Sequence, residues 1–424
     1  MIQKEHPGAA WTTALAAALL QADTEEEAHL TDVTIRTLSA EEVADAFFDL
    51  THYAFRASPP YEDREDWQEV ILQRQDVMYL ALFEEDRAVA TVAGSPMTQQ
   101  VRGTLHDASA VWGVVTDPTA RRKGYCRRLM GRLLAANRAA GTPLSCLYPF
   151  RASFYERLGY VKFPLTKKVT FDPLPLLPLL KKDLGGQVER MLIGDGYDAY
   201  RVYAKRLQQR THGMAVFLHG EKKRAQKEKR SWLALARMEG EVVGLMSYGL
   251  EGDQVTQFTM RADRFYYDTS QAKYLLLQWI ARHIDQTREV ELWVPAFERP
   301  EMWLADIQVS TEAPARGPMA RIVDVAALGQ METGPGRFAV RVSDPLCPWN
   351  EGVWSFESID GRLRVTRVEH AECELTIQAI AALIYGTNDP GDFACWGWGD
   401  PSRGLQSTMR EMFPPQVPYL HERF

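Results

Sequence analysis

Cysteine is scarce in this chain, and the few present do not pair into motifs. The 424 residues hold five, Cys126, Cys146, Cys347, Cys373 and Cys395, an odd number without a CxxC spacing. That argues against a disulfide framework and supplies no zinc-ligand set, so no metal is expected and a reducing cytoplasm is the expected compartment. No run approaches the ~20 apolar residues that a membrane-spanning helix needs, so no membrane is expected among the partners. The alanine-rich residues 9–20 follow Lys4 and Glu5. That start is too weakly basic for a signal peptide, and the stretch reads as a short helix in an N-terminal extension over 1–31. An excess of positive charge is missing too. With 49 Lys and Arg against 56 Asp and Glu, the net charge is −7, which argues against a dedicated nucleic-acid binder and suits a cationic substrate. The one strong charge run, 221–230, interleaves acids and lacks aromatics, as a solvated helix or loop does.

What is present is a mixed α/β pattern in a chain too long for one core, which predicts two or three domains. The first stretch of αβ pattern runs over 32–165. Its spacing predicts a helix over 40–55 and paired strands over 77–82 and 88–94. Pro173, Pro175 and Pro178 then break the pattern. A second αβ region, 166–302, repeats the order, with helices over 198–210 and 270–284 and strands over 232–238 and 242–248. Over 303–424 the pattern turns to strands, 336–342, 352–358 and 363–368, with a hairpin turn at Asp360-Gly361, and then to a helix over 375–383.

The chemistry is concentrated in residues 111–160. Val111, Val114 and Val115 form a β-branched strand stopped by Asp117-Pro118. Arg121-Arg122-Lys123-Gly124-Tyr125-Cys126 follows, and Leu129, Met130, Leu133, Leu134 and Ala136 then recur at helical spacing as far as Gly141. A helix that begins near Gly124 presents unpartnered amides and a positive dipole end beside three cationic side chains, and glycine lets backbone approach an anion closely. On the residues alone this is either a phosphate cradle or a solvated basic helix start. A second strand, 144–147, leads to a short helix carrying Tyr155. Its phenol is either a proton donor or a half-buried core tyrosine. Tyr160, after Gly159, reads as core.

This segment resembles the acetyl-CoA-binding core of the GNAT N-acetyltransferases, whose R/Q-x-x-G-x-G/A turn lies between a strand and a helix. Cys126 stands where that pattern has glycine or alanine. With Phe154-Tyr155-Glu156-Arg157-Leu158-Gly159-Tyr160, the chain is more similar to the enhanced-intracellular-survival (Eis-like) acetyltransferases, which have an RRxG-type turn. Asp344-Pro345-Leu346-Cys347-Pro348-Trp349-Asn350 resembles part of the sterol-carrier-like domain that closes this family. The resemblance is strongest over residues 35–165 and reaches the C-terminus. It implies an α+β (mixed α/β) architecture: a catalytic GNAT domain over 32–165, a degenerate second GNAT domain over 166–302, and a sterol-carrier-like domain over 303–424 that delivers the chain end.

The resemblance also implies an acetyl-CoA-dependent N-acetyltransferase acting on primary amines of multi-amine substrates, such as aminoglycosides, polyamines or lysine side chains, in a cytoplasmic homohexamer. By motif alignment, the pantetheine arm pairs with Val114, Val115 and Thr116. The pyrophosphate meets Arg122, Lys123, Gly124, Tyr125, Cys126 and Arg127, and Phe150 and Arg151 lie alongside the coenzyme. The family pattern makes Tyr155 the general acid and the carboxylate of Phe424 the general base, with His421 and Glu422 as rivals. An α-carboxylate has a pKa of about 3.3–3.7 in water, so it needs desolvation or a bridging water to serve. Arg423 departs from the more acidic endings of relatives. Tyr61-Glu62-Asp63-Arg64-Glu65-Asp66-Trp67 either lines the amine pocket, as in relatives, or is a solvated loop and helix start. The same residues leave open a longer-chain acyl-CoA N-acyltransferase, an acyl-CoA sensor and a lipid-binding protein.

Overall fold

The computed structural model describes residues 33–56, 58–59, 64–220, 222–228 and 231–424. The N-terminal extension and Tyr61, Glu62 and Asp63 lie outside the described residues. The chain forms two compact units. One gathers the residues up to Phe163, His212–His219 and Pro318–Phe424; the other comprises Pro164–Thr211 and Gly220–Gly317.

Elements are numbered in chain order. The first unit begins with β1 (Val33–Thr37), α1 (Ala40–Arg56), α2 (Arg64–Leu72), β2 (Met78–Glu84), β3 (Arg87–Val101) and β4 (Thr104–Thr116). There follow α3 (Tyr125–Ala139), β5 (Leu144–Leu147), α4 (Ala152–Glu156) and β6 (Val161–Lys162). The sheet order is β1-β2-β3-β4-β5-β15-β6, with β15 at Met319–Ile322, and β9 (Ala215–Phe217) also pairs β3. α3 covers it with the side chains its periodicity selects, burying Leu129, Met130, Leu133, Leu134 and Ala136.

The feature that opens this sheet is its one parallel pair. β4 and β5 stay in register only from Ala108↔Leu144 to Val111↔Leu147. The ladder between β3 and β4 is also irregular at Thr91–Ala93, opposite Gly113, whose φ is +60°. Such a bulge bends a strand and sharpens its twist. From Trp112 to Thr116 the β5 side of β4 has no strand partner among the described residues.

The same unit closes with β16 (Arg337–Ser343), β17 (Gly352–Ile359), β18 (Arg362–Arg367), β19 (Cys373–Thr376), α8 (Ile377–Tyr385), α9 (Phe393–Trp396) and α10 (Arg403–Met412). Their sheet runs β18-β17-β16-β19. The expected hairpin turn lies at Asp360 (φ +51°) and Gly361 (φ +73°). The helix expected over 375–383 begins at Ile377, because the residues before it pair with β16 as β19. One apolar core joins α8 to Leu144 and Cys146 of β5, so the closing segment and the acetyltransferase-like sheet share an interior.

The second unit contains β7 (Lys167–Phe171), β8 (Gln187–Leu192), α5 (Tyr197–Gln208), α6 (Lys222–Glu228), β10 (Trp232–Met238) and β11 (Glu241–Glu251). It continues with β12 (Phe258–Tyr267), α7 (Ser270–Ala281), β13 (Thr287–Val294) and β14 (Ser310–Glu312). Its order, β8-β10-β11-β12-β13-β7-β14, again places a lone parallel pair, β12–β13, after an antiparallel run. Its first five strands and the helices between them follow the order of the first unit, so two such folds stand in tandem.

The second copy differs where the first has its basic turn. β12 ends at Tyr267 and α7 starts at Ser270, whereas Thr116 and Tyr125 bound the corresponding loop in the first copy. The short connection holds Asp268, whose carboxylate accepts from Tyr203 Oη at 2.8 Å and Arg206 Nη2 at 2.7 Å, and also pairs with Arg210. The Thr269 hydroxyl caps Ala272 N. That helix end is filled by the chain's own acid and hydroxyl.

Candidate active site

In the first unit the helix end is open. Gly124 caps α3 with φ +83° and no side-chain cap bond. A Cβ built there would meet nothing within 4 Å. Arg122 also has positive φ, +67°, so the turn before the helix adopts left-handed backbone twice, a conformation that directs consecutive amides to one side. The amides of Tyr125, Cys126 and Arg127 start the helix and have no intrahelical acceptor. Arg122 and Arg128 are exposed and carry no ion pair among the described residues. This open end and the free edge of β4 fit a pyrophosphate on a thin arm.

Lys123 and Tyr125 are already engaged. Glu84, at the end of β2, accepts from Lys123 Nζ at 2.5 Å and from the Tyr125 hydroxyl. The Lys123 bond, followed by the Tyr125 bond, holds the Glu84 carboxyl below the usual carboxylate range. Nothing in the motif pointed to Glu84; only its position at a strand end could have. The Arg127 guanidinium donates to Pro345 O at 3.0 Å, leaving its backbone amide at the helix start. Cys126 turns inward against the core, and burial pushes its thiol up to about 12. The departure from glycine or alanine therefore places no side chain in the anion's path, and the thiol is not a nucleophile.

Three tyrosines lie near the exit of β5, and their hydroxyls separate them. Tyr160 is fully buried and shares a 2.8 Å hydrogen bond with Ser145 Oγ. Tyr148 Oη donates to Glu422 O at 3.0 Å. Tyr155 is 4% exposed, yet its hydroxyl makes no hydrogen bond among the described residues. Its ring packs on Phe150, Phe154 and Tyr160 at centroid distances of 5.8, 5.1 and 6.1 Å. Burial raises its pKa, so the phenol holds its proton at neutral pH. Phe150 and Arg151 are exposed at the start of α4.

The chain end packs on Tyr148, the first residue after β5. The Phe424 ring lies 5.4 Å from Tyr148 and 5.8 Å from Phe217, centroid to centroid. His421 and Glu422, the rival bases, are buried, with the Glu422 carbonyl taken by Tyr148. Tyr148 touches Phe424, and Phe150, two residues on, touches Tyr155. The segment leaving β5 thus touches the chain end through Tyr148 and the Tyr155 ring through Phe150. Phe217 escaped sequence reading because three residues of β9 carry no periodic signal. Of the expected amine-pocket residues, Arg64 pairs with Asp45 and Asp49 of α1 at 3.2 and 2.7 Å. Trp67 packs on Phe48 and His52, while Glu65 and Asp66 are exposed.

Residues 34–163 match the family model described as an acetyltransferase (GNAT) domain, and residues 325–421 match the sterol carrier protein domain. The chain is a GNAT-type acyltransferase. No curated protein matches it in sequence. Among solved structures, the acyltransferase is similar to an Enterococcus faecalis protein of unknown function described as a probable N-acyltransferase. The two are 19% identical, with a TM-score of 0.79 over 93% of this chain and 100% of that one. A GCN5-related N-acetyltransferase from Kribbella flavida gives 20% identity and a TM-score of 0.75, over 93% and 98%. Eis1 from Mycobacterium abscessus gives 18% and 0.74, over 92% and 100%. At these identities the likeness is one of fold, and the fold is the Eis-like one. The matched GNAT domain implies an acyl-CoA co-substrate for the acyltransferase. Among the described residues no helix is long and apolar enough to cross a membrane.

Proposed function

We propose that the acyltransferase moves an acetyl group from acetyl-CoA to a primary amine of a multi-amine substrate of aminoglycoside, polyamine or lysine type. In this reading Tyr155 is the general acid and the Phe424 carboxylate the general base. The observation that supports it is the Tyr155 hydroxyl, without a hydrogen bond among the described residues, with Phe150 on its ring, the chain end on Tyr148, and the β5 side of β4 unpaired past Val111 among the described residues. The pantetheine arm would add to Val114, Val115 and Thr116 as an extra strand. Its pyrophosphate would lie at the α3 start, held by the amides of Gly124, Tyr125, Cys126 and Arg127 and by Arg122. Lys123, tied to Glu84, would shape the turn, with Phe150 and Arg151 beside the arm.

The amine must shed a proton before it attacks, since an alkyl ammonium has a pKa of about 10.4. The chain-end carboxylate, directly or through a water, takes that proton. The amine nitrogen then bonds to the thioester carbon, and amides on the free β4 edge receive the oxyanion. The C–S bond breaks and the sulfur takes the Tyr155 proton; the new amide nitrogen gives up its remaining extra proton to the phenolate, directly or through solvent, and the carboxylate releases its own to solvent. Glu62, Asp63, Glu65 and Asp66 would hold the substrate's other amines. The homohexamer is carried by the Eis-like resemblance alone, and the cytoplasmic setting by the scarce cysteines without a pairing motif.

The test is thiol release from acetyl-CoA with a panel of amines, using the native chain beside one extended by a single glycine after Phe424. Turnover that collapses in the extended chain, with coenzyme binding intact, is the expected result. Equal turnover moves the base to Glu422, His421 or a water. No turnover with any amine or acyl length sinks the acetyltransferase reading.

A further inference from the structure

α4, the helix that carries Tyr155, cannot hold itself in place. It has five residues, and its N-cap Arg151 makes no side-chain cap bond; a helix this short has no stability of its own. The Tyr155 hydroxyl has no hydrogen bond to fix it among the described residues, so its position depends on ring packing and on where α4 places the backbone.

The groups that place α4 come from the closing domain. Gln378 Nε2, on α8, donates to Glu156 O at 2.8 Å. Trp398 Nε1 donates to Glu156 Oε1 at 3.3 Å. The residue next to Tyr155 is thereby gripped by carbonyl and carboxylate at once. Behind it, Arg321 of β15 donates to Leu158 O. A Cβ on Gly159 would come within 2.8 Å of Arg321 Nη1 and 2.9 Å of Ile377 Cγ2, so the chain after α4 is pressed on β15 and α8. The sequence of α8, IQAIAALIY, is buried at every position except Gln378. Core packing does not account for the one amide in that helix; its bond to Glu156 does.

We propose that Gln378 and Trp398 are positioning residues for the general acid, holding α4 so that the Tyr155 phenol stands at the leaving sulfur. The inference rests on the reading of Tyr155 as the acid. A reacting group displaced by about 1 Å can cost up to 100-fold in rate, so two hydrogen bonds on the neighbouring residue suffice to matter.

The experiment measures Gln378→Met and Trp398→Phe separately, each in the native chain and in a Tyr155→Phe background, with kcat and KM for acetyl-CoA at saturating amine. Trp398→Phe keeps an aromatic ring in the core and removes only the donor, so it serves if Gln378→Met does not fold. In the native background each variant should lower kcat by about tenfold, the worth of one hydrogen bond, and leave KM for acetyl-CoA within about twofold. In the Tyr155→Phe background neither should cost anything further, because the group they position is gone. Losses that multiply with that of Tyr155→Phe, or unchanged kcat in both single variants, overturn the inference and leave the acid intact. Full activity in Tyr155→Phe alone overturns the acid and the inference with it.

Discussion

The three tyrosines at the β5 exit show what a single residue can and cannot disclose. From sequence, Tyr155 and Tyr160 differ only in their neighbours, and either ring could fill a core. The structure divides them by what their hydroxyls do: Tyr160 is spent on Ser145, Tyr148 on the chain's own tail, and Tyr155 on nothing. Pairing of this kind depends on residues far apart in sequence, 274 positions for Tyr148 and Glu422, so periodicity could not have revealed it. An acid that acts only as the thiolate departs should affect kcat more than binding. Tyr155→Phe should therefore lower kcat by about 100-fold or more, as loss of a general acid does, with KM for acetyl-CoA nearly unchanged. Tyr160→Phe should lose stability, from the unpaired Ser145 hydroxyl, and keep its kcat. Thermal unfolding and steady-state kinetics on the two variants separate these outcomes. Equal kcat losses would mean that the free hydroxyl is not the acid.

At the scale of the element, the strand–turn–helix proposed to hold the coenzyme was the most legible part. β-branched residues, a proline stop, a glycine among arginines and a 3.6-residue apolar period each follow from local physics, and α3 begins at Tyr125 as the pattern requires. Less legible was which cations stay available. Glu84 takes Lys123, and Pro345 takes Arg127, leaving Arg122 and Arg128, and neither partner is adjacent in sequence. Gly124 has positive φ with open space before it, so Gly124→Val would strain the turn and put methyls where a phosphate must come close. Its KM for acetyl-CoA should rise by about tenfold or more. Arg122→Ala, which removes one charge-assisted contact, should raise KM about five- to tenfold, and the difference from the native chain should shrink with added salt. A salt-independent effect, or KM unchanged in both variants, would place the pyrophosphate elsewhere.

At the scale of the whole molecule, the tandem repeat and the sterol-carrier-like ending were legible as patterns. What no pattern disclosed is that His212–His219 and Met319–Ile322 add strands to the first sheet, because such pairing is set by topology. One consequence is a buried polar junction where the β3–β4 hairpin, α8 and the C-terminal tail meet. Arg102, 1% exposed, donates from Nε to Ile384 O at 2.8 Å and from Nη2 to Leu383 O at 3.0 Å and Pro414 O at 3.1 Å. It is a cation at the negative end of α8. His212 Nδ1 accepts from Arg102 N at 3.1 Å, and Nε2 donates to Tyr385 O at 3.0 Å, which fixes one neutral tautomer. The tail is tied to the same loop by Tyr419 N donating to His212 O at 2.9 Å. Burial pulls His212 down to about 4, whereas an unfolded histidine titrates near ~6.5. Below pH ~6.5 the unfolded chain takes up a proton that the folded chain refuses, so stability present above that pH is lost as the pH falls toward 4, by up to about 1.4 kcal/mol per pH unit. His212→Asn removes that titration. Chemical denaturation at pH 7 and pH 5 should show the native chain losing more stability between the two than the variant, although His106, also drawn down to about 4 by burial, leaves the variant some dependence. If both lose the same amount, the junction that ties the tail to His212 does not exclude the proton, and His212 is not the neutral group that its two hydrogen bonds describe.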